Sequence, residues 1–508
     1  MSIIKNNIRA NLIGNIWQVL MGLAFIPLYI GFMGVESYGL IGIFATIQGV
    51  IVIFDIGINA TLTREMARLS AHPGSEQEMR NLVRSLELIY WGMAVLIGIV
   101  IIIISPFIAH HWVKAGQLAP HTIEQALRIM GLAMALQWPA SFYTGGLIGL
   151  QKQVLLNIIN ACISTFRGVG AVLVLWLIAP TIQAFFSWQI IISIINTFVL
   201  AFFLWRRLSR TGKKAVFKKQ LLTGVWRFAA EMSGIGILAT ILTQLDKIIL
   251  SKMLTLEMFG YYTLAGVIAM SLYRLIGPVF TAIYPILTQL VSLSDREGLK
   301  QLYHKSCQFM SVLILPVTVV IALFSYEILY IWTQDPVTAG ETHVLVSFLI
   351  CGTAFSGLMN IPYALQLAHG WTRPGLYINL ISTILIVPLI IFLTGRYGAI
   401  GGASAWVILN CGCFLIAIPI IHHRLLPREN CRWYWQDVFL PLAACLSTSG
   451  LGRLFMGDQM SQLATIVYLS AVSFITLAVT ALSTPTTRAW LIKNVSRIKP
   501  AKKKEHWK

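Results

Sequence analysis

The stretch Glu36-Ser37-Tyr38-Gly39-Leu40 returns 221 positions later as Glu257-Met258-Phe259-Gly260-Tyr261. In the same register Leu69 meets Leu290, Glu76 meets Glu297, Arg84 meets Lys305 and Ser85 meets Ser306. With one residue of drift, Asn157 in Leu155-Leu156-Asn157-Ile158-Ile159 meets Asn379 in Tyr377-Ile378-Asn379-Leu380-Ile381. A single pairing of this kind arises by chance in an apolar chain. Several in one register, almost without gaps, point to an internal duplication. In a membrane protein, duplication predicts two lobes around a pathway.

Composition places the chain in a membrane. It is 57% hydrophobic and only 11% charged, with a mean hydropathy of +0.76. Crossing a bilayer takes ~20 helical residues. Apolar runs of that order occupy 10–33, 38–60, 85–108, 126–149, 154–179, 182–205, 225–249, 260–284, 308–332, 343–367, 375–394, 399–421, 438–456 and 462–482, which makes fourteen. The runs lack the apolar–polar alternation of outer-membrane barrel strands, so the expected class is all-α and polytopic.

Lys and Arg set the orientation. One series of loops carries Lys5 and Arg9; Arg64, Arg68, Arg80 and Arg84; Lys152; a run from Arg206 to Lys219; Arg296, Lys300 and Lys305; Arg373; Arg424, Arg428 and Arg432; and the tail from Arg488 to Lys508. The alternate loops carry Glu36, Lys114, Asp335, Glu341, Arg396 and Asp458. The basic series is expected on the cytoplasmic side, with both termini inside. The net charge of +19 is therefore read as topology and attraction to anionic headgroups, and nucleic acid is not an expected partner. The seven cysteines show no zinc-type spacing and are read as packing residues, with no metal site expected.

Residues 1–205 hold six spans, 206–220 form a basic cytoplasmic linker, and 221–421 hold six more. Because six is even, both halves begin on the same side and the repeat is parallel. Residues 422–482 add a two-helix hairpin, and 483–508 form a basic tail.

Charges inside spans are costly and mark candidate sites. Arg167, in Ser164-Thr165-Phe166-Arg167-Gly168, and Arg274, in Tyr273-Arg274-Leu275-Ile276-Gly277-Pro278, fall near mid-span. Each carries a cost of about 2.5–3.5 kcal/mol on insertion scales, which demands a partner or a cavity. Two readings stand: an internal ion pair or carbonyl contact, or a site for an anionic group, to which the guanidinium fork is suited. Arg227 and Glu231 lie four apart on one helical face, either as a local pair or with Arg227 supplementing the cavity mouth. Asp55 closes the second span, within reach of Arg64 or another base, and is a candidate for pairing or coupling. Asn11, Asn15 and Gln18 fall at i, i+4 and i+7, a polar stripe that either packs by hydrogen bonds or lines the cavity. Gly22 with Pro27, and Gly277-Pro278 with Pro285, are expected bends.

No Gly-x-x-x-x-Gly-Lys loop is present, so no built-in ATPase is expected, and no cofactor. The short loops leave little room for the catalytic loop of a glycan ligase or polymerase.

The run Asn11…Trp17…Pro27…Met33-Gly34…Tyr38-Gly39-Leu40…Asp55-Ile56-Gly57…Arg64…Ala67 resembles the opening of Wzx-type O-antigen and polysaccharide flippases, of the multidrug/oligosaccharidyl-lipid/polysaccharide exporter superfamily. Leu245-Asp246-Lys247-Ile248-Ile249-Leu250-Ser251, Gly260-Tyr261-Tyr262, Pro285 and Gly395-Arg396-Tyr397-Gly398-Ala399-Ile400-Gly401-Gly402-Ala403 agree with it. The resemblance implies a two-lobed fold with a cationic cavity opening alternately to the two faces of a bacterial inner membrane. It implies an undecaprenyl-diphosphate-linked oligosaccharide as cargo, and membrane lipids, a polysaccharide polymerase and chain-length machinery as partners. Lipid II flippases of the same superfamily carry an arginine-containing cluster starting in the first helix, where this chain has only Asn11, Asn15 and Gln18 beyond its basic start; that disfavours lipid II as cargo. The alternatives are an organic-cation exporter of the same superfamily, which calls for deep acidic residues, a ligase or polymerase, and a non-transporting scaffold.

Overall fold

A computed structural model of the chain describes residues 2–489 apart from positions 56, 210, 221–236, 238–239, 242, 372 and 458–459. It divides into two compact units, Met1–Thr263 and Leu264–Lys508. Among the described residues there are no β-ladders beyond one isolated bridge, Lys114 with Thr255, and nine helices are long and apolar enough to cross a membrane.

The first unit contains α1 (Ser2–Ala24), α2 (Ile26–Ile51), α3 (Ile58–Ser70), α4 (Glu76–Phe107), α5 (Pro120–Gly149), α6 (Gln153–Leu177) and α7 (Ile182–Arg207), then a helical stretch 243–253 and most of α8 (Leu256–Ser271). The second contains α9 (Tyr273–Ser292), α10 (Arg296–Leu323), α11 (Ser325–Thr333), α12 (Pro336–Leu358), α13 (Asn360–Ala368), α14 (Arg373–Leu425), α15 (Leu440–Leu454) and α16 (Gln462–Ser483). The duplication is visible in these starts. Helices beginning at 76, 120 and 153 recur at 296, 336 and 373, close to the offset read from the sequence.

Glycine breaks define where the chain turns. Gly34 adopts φ 79° inside α2, which side chains other than glycine rarely tolerate, and it separates the end of the first apolar run from the second. Gly398, at φ 58° and ψ −139°, divides the 53-residue α14 in the same way. Beyond it Gly401 lies so close to the Leu393 carbonyl that a Cβ would overlap it.

The opening repeat turns out to pack on its own copy. A Cβ on Gly39 would strike the Leu256 carbonyl oxygen, and one on Gly260 would strike the Val35 carbonyl oxygen. Equivalent glycines thus let α2 and α8 cross backbone to backbone, as small residues do between membrane helices. The loop after α4 clasps this crossing. Backbone N–H groups of Gly116, Gln117 and Leu118 donate to the Glu36 carboxylate at 2.5, 2.9 and 3.3 Å, and Leu256 N–H donates to the Lys114 carbonyl at 2.8 Å.

The core of the first unit is the α4–α5–α7 stack. Leu82, Leu86, Tyr90, Met134, Phe142, Tyr143, Leu200 and Leu204 are all buried there. A satellite cluster in the second unit seats Val320 and Phe324 against Leu469 and Val472 of α16.

Candidate cargo-binding residues

Arg167 sits midway along α6 where α1, α2 and α7 meet it. Glycines on either side admit aromatic rings: a Cβ on Gly168 would strike the Phe25 ring, and one on Gly170 the Trp188 indole. Tyr29 stacks with Phe25 at 6.4 Å and meets Phe185 edge-on at 5.1 Å. Trp188 Nε1 donates to the Arg167 carbonyl at 3.2 Å. The guanidinium itself has no ion-pair or hydrogen-bond partner among the described residues, and its Nε is buried and unsatisfied. Of the two readings of Arg167, an internal ion pair therefore finds no partner within its described surroundings. A half-buried guanidinium with donors unspent, on a helix whose neighbouring turns are packed by rings, is chemically an acceptor site for an oxyanion.

The polar stripe of α1 is split. Asn11 is used in packing: its Nδ2 donates to Gln153 Oε1 at 2.7 Å, and its Oδ1 accepts from Asn157 Nδ2 at 2.5 Å. Asn15 is exposed and Gln18 half-buried. Neither makes a side-chain hydrogen bond among the described residues. Trp17 Nε1 donates to Thr165 Oγ1 at 2.9 Å, which sets the turn carrying Asn15 and Gln18 beside the turn just before Arg167.

Arg274 lies in the second unit, exposed and without an ion pair among the described residues. Between α8 and α9 the backbone stays helical at Leu272, with φ −58° and ψ −33°, and Arg274 lies in the first turn of α9. Pro278 lacks the N–H that would bond the Arg274 carbonyl four residues earlier. Tyr273 pins the new helix start by donating to Ser356 Oγ at 2.8 Å. Arg227 and Glu231 lie outside the described residues. Asp55 accepts from the Tyr90 hydroxyl, an α4 contact remote in sequence from Arg167.

Two polar constellations escaped the sequence reading. In the first unit, buried Glu87 accepts from Tyr143 at 2.7 Å and Trp205 at 3.1 Å, and pairs with Arg84 at 2.9 Å. In the second, buried His304 bridges Asp437 at 2.5 Å and Glu429 at 3.0 Å. Lys300 meets Glu429 at 2.5 Å, and Gln308 donates to Asp437 at 2.8 Å. Burial opposes ionisation of Glu429, but the bonds from Lys300 and His304 prevail and hold its carboxyl below the usual range. Glu87 had a faint signal, a carboxylate three residues from Arg84 inside an apolar run. The His304 cluster had none.

Residues 4–291 match the family model described as polysaccharide biosynthesis protein, and residues 234–392 match the MatE model. The chain belongs to the polysaccharide biosynthesis protein family, in the polysaccharide branch of the multidrug/oligosaccharidyl-lipid/polysaccharide exporter superfamily, whose members are transporters rather than enzymes. It is 23% identical over 412 residues to a Shigella flexneri protein named "Putative O-antigen transporter", covering 80% of this chain and 95% of that one. Its fold is similar to lipid II flippase MurJ in an inward closed conformation, with TM-score 0.67, 14% identity and coverage of 97% and 99%. It is also similar to an inward-facing MATE-family multidrug transporter, with TM-score 0.65, 16% identity and coverage of 80% and 94%.

Proposed function

We propose that this protein is a flippase for a lipid-linked oligosaccharide, the repeat unit of an O-antigen or another surface polysaccharide carried on undecaprenyl diphosphate. In this reading the fourteen helices form two six-helix lobes, 1–205 and 221–421, joined by the 206–220 linker and followed by a hairpin. The protein sits in the bacterial inner membrane with both termini in the cytoplasm. The headgroup enters a cationic cavity from the cytoplasmic leaflet while the polyprenyl tail stays in lipid. Arg167 and Arg274, with Arg227 at the mouth, offset the diphosphate charge. Asn15 and Gln18 offer hydrogen bonds to sugar hydroxyls. Rocking of the lobes then opens the headgroup to the other face, with bends near Pro27 and Pro278 absorbing the motion.

The observation that carries this reading is Arg167, which has no counter-charge among the described residues. A permanent cation without a counter-charge favours an anionic cargo over an organic cation. The match of residues 234–392 to the MatE model supports the multidrug exporter as second reading. The separating experiment is a deletion strain probed for the sidedness of labelled lipid-linked sugar. Cytoplasmic accumulation, relieved by wild-type protein but not by Arg167→Ala or Arg274→Ala at equal protein levels, supports the flippase. Unpolymerised glycan outside the deletion strain, or full relief by both variants, rules it out.

A further inference from the structure

The basic linker that follows α7 is not a loose tether over residues 211–218. Side chains of α4 hold its backbone. Gln77 Nε2 donates to the Lys214 carbonyl at 3.0 Å, Asn81 Oδ1 accepts from Val216 N–H at 2.9 Å, and Ser85 Oγ accepts from Lys218 N–H at 2.9 Å. Thr211 adds a hydroxyl bond to Gln77 Oε1. Four contacts on successive turns of one helix fix the segment 211–218 in place.

What this fixing creates is a cavity of ≈ 680 Å³ lined by Arg80, Phe202, Trp205, Arg206, Thr211, Gly212, Lys213 and Lys214. Four of those residues are cations and none is an acid. Arg80 and Arg206 are held from behind by rings, with the guanidinium carbons 5.5 Å from the Trp205 ring and 5.8 Å from the Phe202 ring. Such stacking orients the guanidinium without consuming its in-plane donors. None of the four has an acidic partner among the described residues, and Arg80 Nε is buried and unsatisfied. Four like charges around one cavity repel each other, and the structure holds them there with aromatic stacking and a latched backbone. The cavity is roomy enough for a phosphate group with its ester substituents.

We propose that this pocket binds a phosphate group, and that the bound anion ties the linker to α4 and α7. Phosphate satisfies the inventory: oxygens for two guanidinium forks and charge for two lysines. Its source is either the headgroup of an anionic phospholipid or a soluble phosphate. The proposal does not depend on the identity of the transported cargo.

The test is hydrogen exchange of linker amides 208–219 in the full-length protein in phosphatidylcholine nanodiscs. One arm adds phosphatidylglycerol to the discs and the other adds inorganic pyrophosphate to the buffer. Slowed exchange with phosphatidylglycerol alone assigns the lipid headgroup, and slowed exchange with pyrophosphate in the neutral discs assigns a soluble phosphate. In either case Lys213→Gln/Lys214→Gln should shift the protecting concentration by about tenfold or more. Both lysines are exposed, so this variant should fold. Arg80→Lys should weaken protection while keeping the charge, because the fork is lost. Unchanged exchange in both arms overturns the proposal, as does equal protection in the double variant.

Discussion

Arg167 in the first unit and the Lys300–Glu429–His304–Asp437 chain in the second are both sets of ionisable groups among apolar helices, handled in opposite ways. The second set is closed. Each acid meets a base or an amide, Asp437 and His304 are almost wholly inaccessible at 0% and 2% exposure, and the chain joins α10 to the segment leading into α15. Arg167 is open: its surroundings are rings and glycines, and no described acid answers it. A satisfied network makes structure, because its groups have exchanged water for one another. An unsatisfied cation in the same medium costs free energy until something arrives to pair with it, and so it is the better candidate for function.

The largest effects should separate these two along different axes. Arg167→Leu should cut translocation of labelled lipid-linked sugar by about tenfold to a hundredfold, the worth of a charge-assisted hydrogen bond, without lowering the unfolding temperature of the purified protein. Asp437→Ala should do the reverse. It strands His304 and Gln308 with lost partners, and breaking a buried pair costs about 3–5 kcal/mol. Thermal unfolding in detergent should show a marked drop, while transport per folded molecule stays near wild type. If Asp437→Ala instead abolished transport in a stably folded protein, the closed network would have to be regarded as part of the machine.

The next effect tests the crossing of the repeats. Gly39→Val places a side chain against the Leu256 backbone carbonyl, and Gly260→Val does the same against Val35. Backbone cannot swing aside as a side-chain tip can, so each should cost about 1–3 kcal/mol as overpacking, read as a lowered unfolding temperature. Gly92→Val in α4 is the control, since nothing lies within 4 Å of a Cβ there.

Much of this arrangement was legible in the chain. The duplication offset and the apolar helical runs are local or periodic signals, and they survive in the helix starts. The breaks at Gly34 and Gly398 were not foreseen, since bends were expected at Gly22 with Pro27 and at Gly277-Pro278 with Pro285. Arg167 and Arg274 stood out because charge in an apolar run is visible without any partner. The polar stripe was half legible: spacing put Asn11, Asn15 and Gln18 on one face, but only packing could assign Asn11 to Gln153 and Asn157. The His304 cluster was invisible, because its acids lie 125 and 133 residues away and no spacing rule links them. The linker pocket was hidden for a similar reason. Its charge was counted, but the latch that organises it is made by neutral Gln77, Asn81 and Ser85.

The smallest effect lies at the α12 N-terminus, where Asp335 caps the helix. It accepts from Val337 N–H at 3.2 Å, Thr338 N–H at 3.0 Å and the Thr338 hydroxyl at 2.5 Å. The Thr338 hydroxyl bond is the main reason its carboxyl is held below the usual range. A depressed folded-state pKa means the stabilisation is present above the unfolded value of about 3.9 and is lost as pH falls through the lower folded-state value. Asp335→Ala should therefore cost about 1 kcal/mol near neutral pH, and the gap from wild type should close on acidification. The closed cluster contains Glu429, whose carboxyl is also held below the usual range, so the same acid titration should erode wild type and Asp335→Ala alike through that group. A difference that persisted unchanged at low pH would mean that Asp335 acts by packing or backbone conformation rather than as an ionised cap.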